Sequence, residues 1–309
     1  MEELFLHNGK LVSAEEWEVR IDALRARTQD SFYADSDLEA EKKELERKIE
    51  AAIKRRLDAH AGKKIGVFFS GGLDSSHIAA VCKKLGKDVV CVTAGFQEGK
   101  SQVPLDIQAA EKVAMHLGLR LVKRIYDYAE AKRIIAKTIA MLGGNANPIN
   151  VAVGSVIVAA AEVAEKEGVH VLFSGLGSEE IYAGYERHAK AANVHEECWQ
   201  GLKNMYSRDL VRDSAIGEKL GLDVLTPFLD SEVIVCSMKF PASAKLNSHG
   251  NKMVLREIAR EGLGEFALRK KKAAQYGSAF QKALEKMARE RGESIKEYVD
   301  SQKVPPSEP

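Results

Sequence analysis

The sequence predicts an α/β protein with a doubly wound parallel sheet, followed by a helical C-terminal part. Short apolar runs alternate with helical patterns between residues 61 and 200, and 64–70 is a continuous apolar run, typical of a strand buried on both faces. Glycines at 86, 118 and 168 follow three of the helical patterns, as expected for helix C-termini. Alternation of this length requires right-handed crossovers between parallel strands.

The individual elements follow from the same patterns. Strands are predicted over 64–70, 88–93, 119–125 and 169–173, and helices over 37–57, 74–85, 106–117, 129–142 and 151–167. Residues 1–35 are expected to form a short appendage of strand and helix, and the chain is expected to be largely helical after about residue 185. We therefore divide it into an N-terminal appendage and lead-in helix (1–60), an α/β core (61–200), a helical extension that completes the active site (201–300) and a disordered tail (301–309).

Composition excludes several classes of protein. The 309 residues include 46 Lys and Arg against 45 Asp and Glu, so the net charge of +1 argues against nucleic-acid binding through bulk charge. No apolar run reaches the roughly 20 residues needed to span a bilayer, and Met1–Leu4 is acidic where a signal peptide would be basic. The four cysteines are far apart, without a CxxC pair. We expect a cytoplasmic protein with no membrane association, zinc site or disulfide.

The segment that joins the first predicted core strand to its helix, SGGLDSS, is the most informative one. Its glycines allow close backbone approach to a ligand, and the serine hydroxyls and helix N-terminus suit an anion such as pyrophosphate. A carboxylate beside phosphate is reasonable if a divalent cation lies between them. An ordinary capped glycine turn is the alternative. The predicted nucleotide-binding residues here are Ser70, Gly71, Gly72, Leu73, Asp74, Ser75 and Ser76. The chain contains neither GxxxxGK[ST] nor GxGxxG.

SGGLDSS resembles the pyrophosphate-binding loop of the N-type ATP pyrophosphatases, the PP-loop superfamily. Four further segments narrow the resemblance to the synthetase domain of asparagine synthetases. Residues 171–185 resemble SGEGSDEIFGGY, 227–230 read PFLD, 251–257 resemble the K-x-x-L-R-E helix, and 269–278 resemble a basic segment ahead of a glycine. The order and spacing agree over residues 40–280. The resemblance implies an adenine nucleotide alpha hydrolase-like fold.

This resemblance also implies an activity: an ATP- and Mg²⁺-dependent ligase adenylylates a carboxylate, releases pyrophosphate, and lets an amine displace AMP. By resemblance, Asp74 and Glu179 are candidate Mg²⁺ ligands. Lys271 or Lys272, with Lys271 preferred, would stabilise the pentavalent phosphorus or the tetrahedral intermediate. The remaining candidates are nucleotide contacts at Ser174, Gly175, Gly177, Glu180, Lys252 and Arg256 and a catalytic carboxylate at Asp223. The alternatives are a solvated basic run at 270–272 and, for the two glutamates, acids that stabilise a helix N-terminus.

Two departures from the family pattern concern the acceptor. Between the two glycines of the second motif the family usually has glutamate, whereas this chain has Leu176. In the segment that usually reads GLExR, Asp223 stands one methylene short of the glutamate and Leu225 replaces the arginine. The nucleotide motifs are thus retained while the acceptor motifs differ. ATP activation follows from the resemblance, but aspartate as the activated acid does not.

The expected partners are a small-molecule carboxylate and ammonia or an amine. Glutamine-dependent relatives begin with a cysteine nucleophile, but position 2 is Glu2 and the first cysteine is Cys82, so we expect no glutaminase domain in this chain. A separate glutaminase could deliver the ammonia. Two alternatives are a PP-loop enzyme that adenylylates tRNA or a nucleobase, and a non-catalytic nucleotide-binding subunit. The sequence leaves an oligomer open.

Overall fold

The computed structural model describes residues 2–29, 31–99, 101–269 and 274–303. Its N-terminal part is a small hairpin followed by two helices. Strands β1 (Leu6–His7) and β2 (Lys10–Leu11) pair antiparallel, and helices α1 (Ala14–Thr28) and α2 (Leu38–Ala59) follow. Ser13 caps α1 by accepting a hydrogen bond from the backbone N–H of Glu16. Residues 1–35 therefore combine strand and helix, as the pattern predicts.

Five parallel strands form the central sheet. They are β3 (Ile65–Phe68), β4 (Val90–Phe96), β5 (Leu121–Tyr126), β6 (Val171–Phe173) and β7 (Asp223–Leu225). Their spatial order is β5-β4-β3-β6-β7, so the first of them is central and the chain adds strands on either side of it. This order confirms the predicted doubly wound parallel sheet, whose strand ends create a ligand crevice.

The other helices flank this sheet and form most of the C-terminal part. In chain order they are α3 (Leu73–Lys84), α4 (Leu105–Leu117), α5 (Tyr128–Leu142), α6 (Pro148–Lys166), α7 (Ser178–Ile181), α8 (Glu186–Lys190), α9 (Val194–Met205), α10 (Val211–Leu220), α11 (Ser231–Met238), α12 (Ala242–Lys245), α13 (Met253–Leu263), α14 (Ala274–Gly277), α15 (Phe280–Glu290) and α16 (Ile295–Ser301). A π-helical turn, Tyr206–Leu210, joins α9 to α10.

Two apolar cores lie on opposite faces of the sheet. One contains side chains from α1, α2, α3, α9, α11 and α13, including the fully buried Trp17 and Trp199. The other contains side chains from β5, α5, α6, α15 and α16, including the fully buried Tyr126 and Phe280. The last two helices thus return to pack beside α5 and α6. Residues from the two ends of the chain help to cover the same sheet.

The structure corrects two expectations about the C-terminal part. The segment after residue 185 is largely helical, but Asp223–Leu225 forms the edge strand β7. Three residues are too few for a period-two pattern to reveal a strand. The predicted tail, 301–309, begins inside the last helix, since α16 ends at Ser301. Residues 304–309 lie outside the described residues.

Helix α6 is long and apolar enough to cross a membrane by length and composition alone. However, 61% of its most apolar window is buried inside the fold. It packs against β4 and against α5, α10 and α15. Its composition is therefore that of a helix at the centre of an α/β core.

A buried ionic network fastens the N-terminal segment to the end of the sheet. The guanidinium of Arg56 donates to both carboxylate oxygens of Glu3 at 2.8 Å, and Thr226 Oγ1 donates to the same carboxylate at 2.6 Å. Arg56 also pairs with Asp230 at 3.2 Å. Both Glu3 and Arg56 are buried. The segment that follows β7 is thus held by residues more than 160 positions earlier in the chain.

We expect Arg56→Leu to lower the free energy of unfolding by about 3–5 kcal/mol, because the Glu3 carboxylate would remain buried without its partner. Urea denaturation measures the loss, and the double variant Glu3→Leu/Arg56→Leu should recover a large part of it. The matched control is Arg47→Leu, which removes an exposed arginine paired with Glu44. Equal losses for Arg56→Leu and Arg47→Leu would contradict the role of the buried network.

Candidate active site

The loop Ser70–Ser76 leads from the carboxyl end of β3 into α3, as predicted. Ser70 Oγ accepts a hydrogen bond from Gly72 N at 3.3 Å, and Ser75 Oγ donates to Gly72 O at 3.3 Å. Gly71 has φ +64°, and a Cβ there would lie 2.5–2.6 Å from the backbone of Ala109 and Ala110. Only glycine allows this turn to pack so closely against α4.

A second loop, Ser174–Gly177, follows the neighbouring strand β6 and leads into α7. It contacts the first loop directly, because a Cβ on Gly175 would lie 2.8 Å from Asp74 Cβ. Leu176 lies between its glycines, partly buried against the core. The structure therefore brings together the two motifs that the sequence singled out, at the carboxyl ends of adjacent parallel strands.

The ammonium of Lys252 joins the two loops. Its Nζ lies 2.9 Å from both carboxylate oxygens of Asp74, 2.8 Å from Glu179 Oε1 and 3.1 Å from Ser178 Oγ. Burial alone lowers the pKa of Lys252, but the two carboxylates raise it overall. Lys252 adopts a left-handed backbone with φ 54°, which is strained for a residue with a side chain. The strained backbone indicates that the position of this ammonium matters.

Gly184 leaves the space that this ion cluster needs. A Cβ at this position would overlap the Glu179 carboxylate and the Lys252 side chain. The Gly184 carbonyl also accepts a hydrogen bond from the side-chain amide of Asn251. Gly184, near the end of the 171–185 motif, thus lies against both partners of the salt bridge, a contact that the motif alone does not reveal.

Arg256 and Arg269 bind backbone carbonyls around the first loop. The Arg256 guanidinium donates to Asn251 O at 2.7 Å and to Ala267 O at 2.6 Å, while Arg269 donates to Gly71 O at 2.8 Å. Arg256 lines the cleft, but these hydrogen bonds stabilise the segment before residue 270. Lys271 and Lys272, the predicted catalytic lysines, lie outside the described residues.

Glu180 points away from the cleft into a buried ionic network. It pairs with Arg208, which also binds Asp209 at 2.7 Å, and Arg212 binds both Asp209 and Asp213. Arg208 and Asp209 lie on the π-helical turn, a distortion frequent at functional sites. Arg208 and Arg212 line the cleft, whereas Glu180 supports them from behind. Sequence reasoning missed both arginines as parts of this network.

The structure places Asp223 away from these loops, and this corrects the expectation that it joins the catalytic residues. It is the first residue of β7, so it lies at the amino end of the parallel sheet, opposite the carboxyl ends that carry the loops. Its carboxylate is exposed and lies 3.1 Å from Lys63 Nζ and 3.8 Å from His60 Nε2. These contacts give Asp223 a surface role.

Two connected cavities meet at the paired loops. The larger, a cleft of about 1650 Å³, includes Asp74, Glu179 and Lys252 among its lining residues. The smaller has a volume of about 250 Å³ and shares Asp74 and Glu179 with the cleft. Its lining contains the loop residues Ser70, Ser75, Ser174 and Gly175, the charged Asp106, Arg212 and Asp213, and an apolar majority that includes Val92, Ala94, Val156, Ile157 and Ala160. These apolar residues look like ordinary core positions in the sequence.

Comparison with known proteins identifies the family. The asparagine synthase family model matches residues 44–198 and 188–305. A putative asparagine synthetase from Methanocaldococcus jannaschii is 27% identical over 87% of this chain and 56% of its own length. The asparagine synthetase of Gallus gallus is 32% identical over 72% of this chain and 40% of its own. The chain thus spans about half the length of these curated relatives.

Among solved structures, NMN synthetase from Francisella tularensis is similar over 87% of this chain and 98% of its own. The TM-score is 0.34 and the identity 11%. NAD+ synthetase from Burkholderia pseudomallei covers 89% of this chain and 97% of its own, with a TM-score of 0.31 and 15% identity.

Burial raises the pKa of the Glu180 carboxyl from 4.5 to about 7. Between these values the folded protein holds a proton that the unfolded chain has released, so stability falls as the pH rises from 4.5 through 7. Glu180→Gln should lack this slope, which urea denaturation at pH 5 and pH 7.5 can measure. The exposed Glu186→Gln is the matched control and should keep the wild-type slope. Identical slopes for the wild type and Glu180→Gln would contradict the assignment.

Proposed function

Because the chain belongs to the asparagine synthase family, we propose that it is an ATP-dependent, AMP-forming ligase that adenylylates a carboxylate and joins it to ammonia or an amine. The observation that carries the proposal is the meeting of the Ser70–Ser76 loop with Glu179 around the Lys252 ammonium. The anion-binding backbone of the loop, the carboxylates of Asp74 and Glu179, and the Lys252 ammonium then surround one point. This set of groups suits the transfer of an adenylyl group from ATP.

The smaller cavity is the proposed site of the adenosine. Its apolar walls suit a purine base, and the serine-rich loop at its end suits the phosphates. The N-terminus of α3 adds backbone N–H groups with a positive dipole end. The pyrophosphate would then lie on the Ser70–Ser76 loop, beside the cleft that admits the acid.

In the first step, a carboxylate oxygen of the acid attacks the α-phosphorus of ATP, and the bond to the bridging oxygen of the β-phosphate breaks. Pyrophosphate leaves with its negative charge, and an acyl-adenylate forms. In the second step the amine nitrogen attacks the acyl carbon, AMP leaves, and the nitrogen loses a proton. The Lys252 ammonium lies where it would neutralise charge on the phosphates during the first step.

Asp74 and Glu179 fit a magnesium ion. Both carboxylates contact one point, the Lys252 ammonium, and within the described ranges no third Asp, Glu, His or Cys joins them as a metal cluster. Mg²⁺ usually takes one or two protein carboxylates and completes its coordination with phosphate oxygens and water. Bound there, the ion would neutralise the leaving pyrophosphate. We therefore keep Asp74 and Glu179 as the proposed ligands.

The direct test is to supply ATP, Mg²⁺ and ammonium with a series of carboxylic acids or with tRNA, and to measure pyrophosphate and AMP. Acid-dependent formation of both products supports the proposal. Product formation with tRNA alone would instead support a nucleic-acid-modifying enzyme. Release of ADP and phosphate alone would contradict cleavage between the α- and β-phosphates.

Asp74→Asn should reduce the rate of pyrophosphate release by at least about a hundredfold, because the amide cannot neutralise a cation at the phosphates. Circular dichroism should show an intact fold. The matched control is Asp58→Asn, which removes an exposed carboxylate paired with Lys54 and should leave the rate unchanged. Full activity of Asp74→Asn would exclude Asp74 as a metal ligand.

We retain Lys271, or else Lys272, as the residue that stabilises the charged intermediate. Lys271→Met should lower kcat by about a hundredfold or more without a matching change in KM, because the interaction strengthens only in the transition state. Lys270→Met is the matched control within the same run and should have little effect. Lys272→Met tests the alternative lysine, and equal rates for the three single variants at 270–272 would indicate a solvated basic run.

A further inference from the structure

Half of the strongly exposed large apolar side chains in the described part of the protein line the active-site cleft. Eight such side chains are exposed, and the four in the cleft are Leu105 (38%), Ile149 (62%), Leu268 (54%) and Tyr276 (56%). Single exposed apolar residues are ordinary, but four from separate segments around one cleft indicate a binding surface. This surface is continuous with the cavity that contains Lys252.

Helix α6 extends this apolar surface to the paired loops. Ile149 and Val153 line the cleft, and Val153, Ile157 and Ala160 line the smaller cavity. Their spacing of four, four and three residues places them along one face of the helix. An apolar stripe therefore runs from the exposed mouth of the cleft to the proposed nucleotide pocket.

Several cations that line the cleft already have partners within the protein, and for Arg256 and Arg269 these partners are backbone carbonyls. Arg208 is held by Glu180 and Asp209, and Lys252 is held by Asp74 and Glu179. A second carboxylate on the substrate, as in aspartate, would compete with these acids. An apolar group on the substrate would instead contact the neighbouring apolar surface without competing with these acids.

We propose that the acid activated by this enzyme is a monocarboxylic acid with an apolar chain or ring, which lies against Ile149 and Tyr276. The inference rests on the proposed ligase function. The inference goes beyond that function because it assigns the chemical class of the acceptor acid and the subsite that binds it. The carboxylate end would reach the loops at Lys252, while the apolar end would cover α6 and the cleft mouth.

The test compares octanoate, acetate and aspartate as acceptors in the pyrophosphate-release assay with the full chain. Octanoate should give a kcat/KM at least about tenfold above the other two acids, because burial of several methylene groups strengthens binding. If acetate or aspartate is the better acceptor, the inference is overturned while the ligase function stands.

Two variants locate the subsite. Ile149→Asn should raise the KM for octanoate roughly tenfold, because the apolar contact with the bound acid is lost, while kcat for octanoate changes much less than KM. The matched control is Val19→Asn, another exposed β-branched residue (67%) on a helix, which lines neither cavity. Equal KM values for both variants would overturn the subsite.

If no acid supports pyrophosphate release, the proposed function fails, and equilibrium dialysis with radiolabelled octanoate then decides the subsite. Tighter binding to the wild type than to Ile149→Asn would support an apolar acid site without ligase activity. Equal binding would overturn the site as well.

Discussion

The salt bridge between Lys252 and the carboxylates of Asp74 and Glu179 is the interaction on which the candidate site depends. It joins three segments that are far apart in the chain and that meet only in the fold. Within a buried site, each of these charges would be costly without the others. The close packing at Gly175 and Gly184 serves this cluster, because side chains at either position would force the carboxylates apart. The geometry of both loops therefore depends on the charge compensation between Lys252 and the carboxylates of Asp74 and Glu179.

Around this centre, the fold separates two kinds of environment. The smaller cavity is lined by residues of the sheet and of α6, whose apolar side chains suit a flat ring. The cleft opens to solvent, and its polar wall is oriented by the pairing of Arg208 with Glu180 and by the hydrogen bond that Arg256 donates to the Ala267 carbonyl. Such preorganisation lowers the cost of binding charged phosphates, because the protein groups are already oriented. A ligase that must keep an acyl-adenylate from hydrolysis would benefit from both properties.

Much of this could be predicted from the sequence, because local patterns determine local structure. The apolar run at 64–70 and the glycine at 118 identified a buried strand and a helix end, and SGGLDSS identified the loop between β3 and α3. The direction in which a side chain points could not be predicted from such local patterns. Glu179 and Glu180 are neighbours of the same type, yet one faces Lys252 and the other is buried against Arg208.

Residues whose position depends on distant segments could not be predicted in this way. Asp223 resembles a motif glutamate in sequence, but the register of β7 places it at the wrong end of the sheet. The sequence predicts Lys252 only as one of several nucleotide contacts, because nothing in its neighbourhood reveals a left-handed backbone that directs the ammonium between two loops. The apolar residues of α6 that line the cavities likewise have the composition of core residues.

The network of Glu3, Arg56 and Thr226 has a consequence for the order of folding. During synthesis, Thr226 and Asp230 leave the ribosome more than 220 residues after Glu3. Contacts of such long separation form slowly, because the intervening chain must first be ordered. Arg56 is much closer to Glu3 in sequence. These two residues can therefore pair before Thr226 and Asp230 are in place, and the pair fixes the N-terminal segment. The segment that follows the edge strand would then dock onto a surface on which the charges of Glu3 and Arg56 already compensate each other.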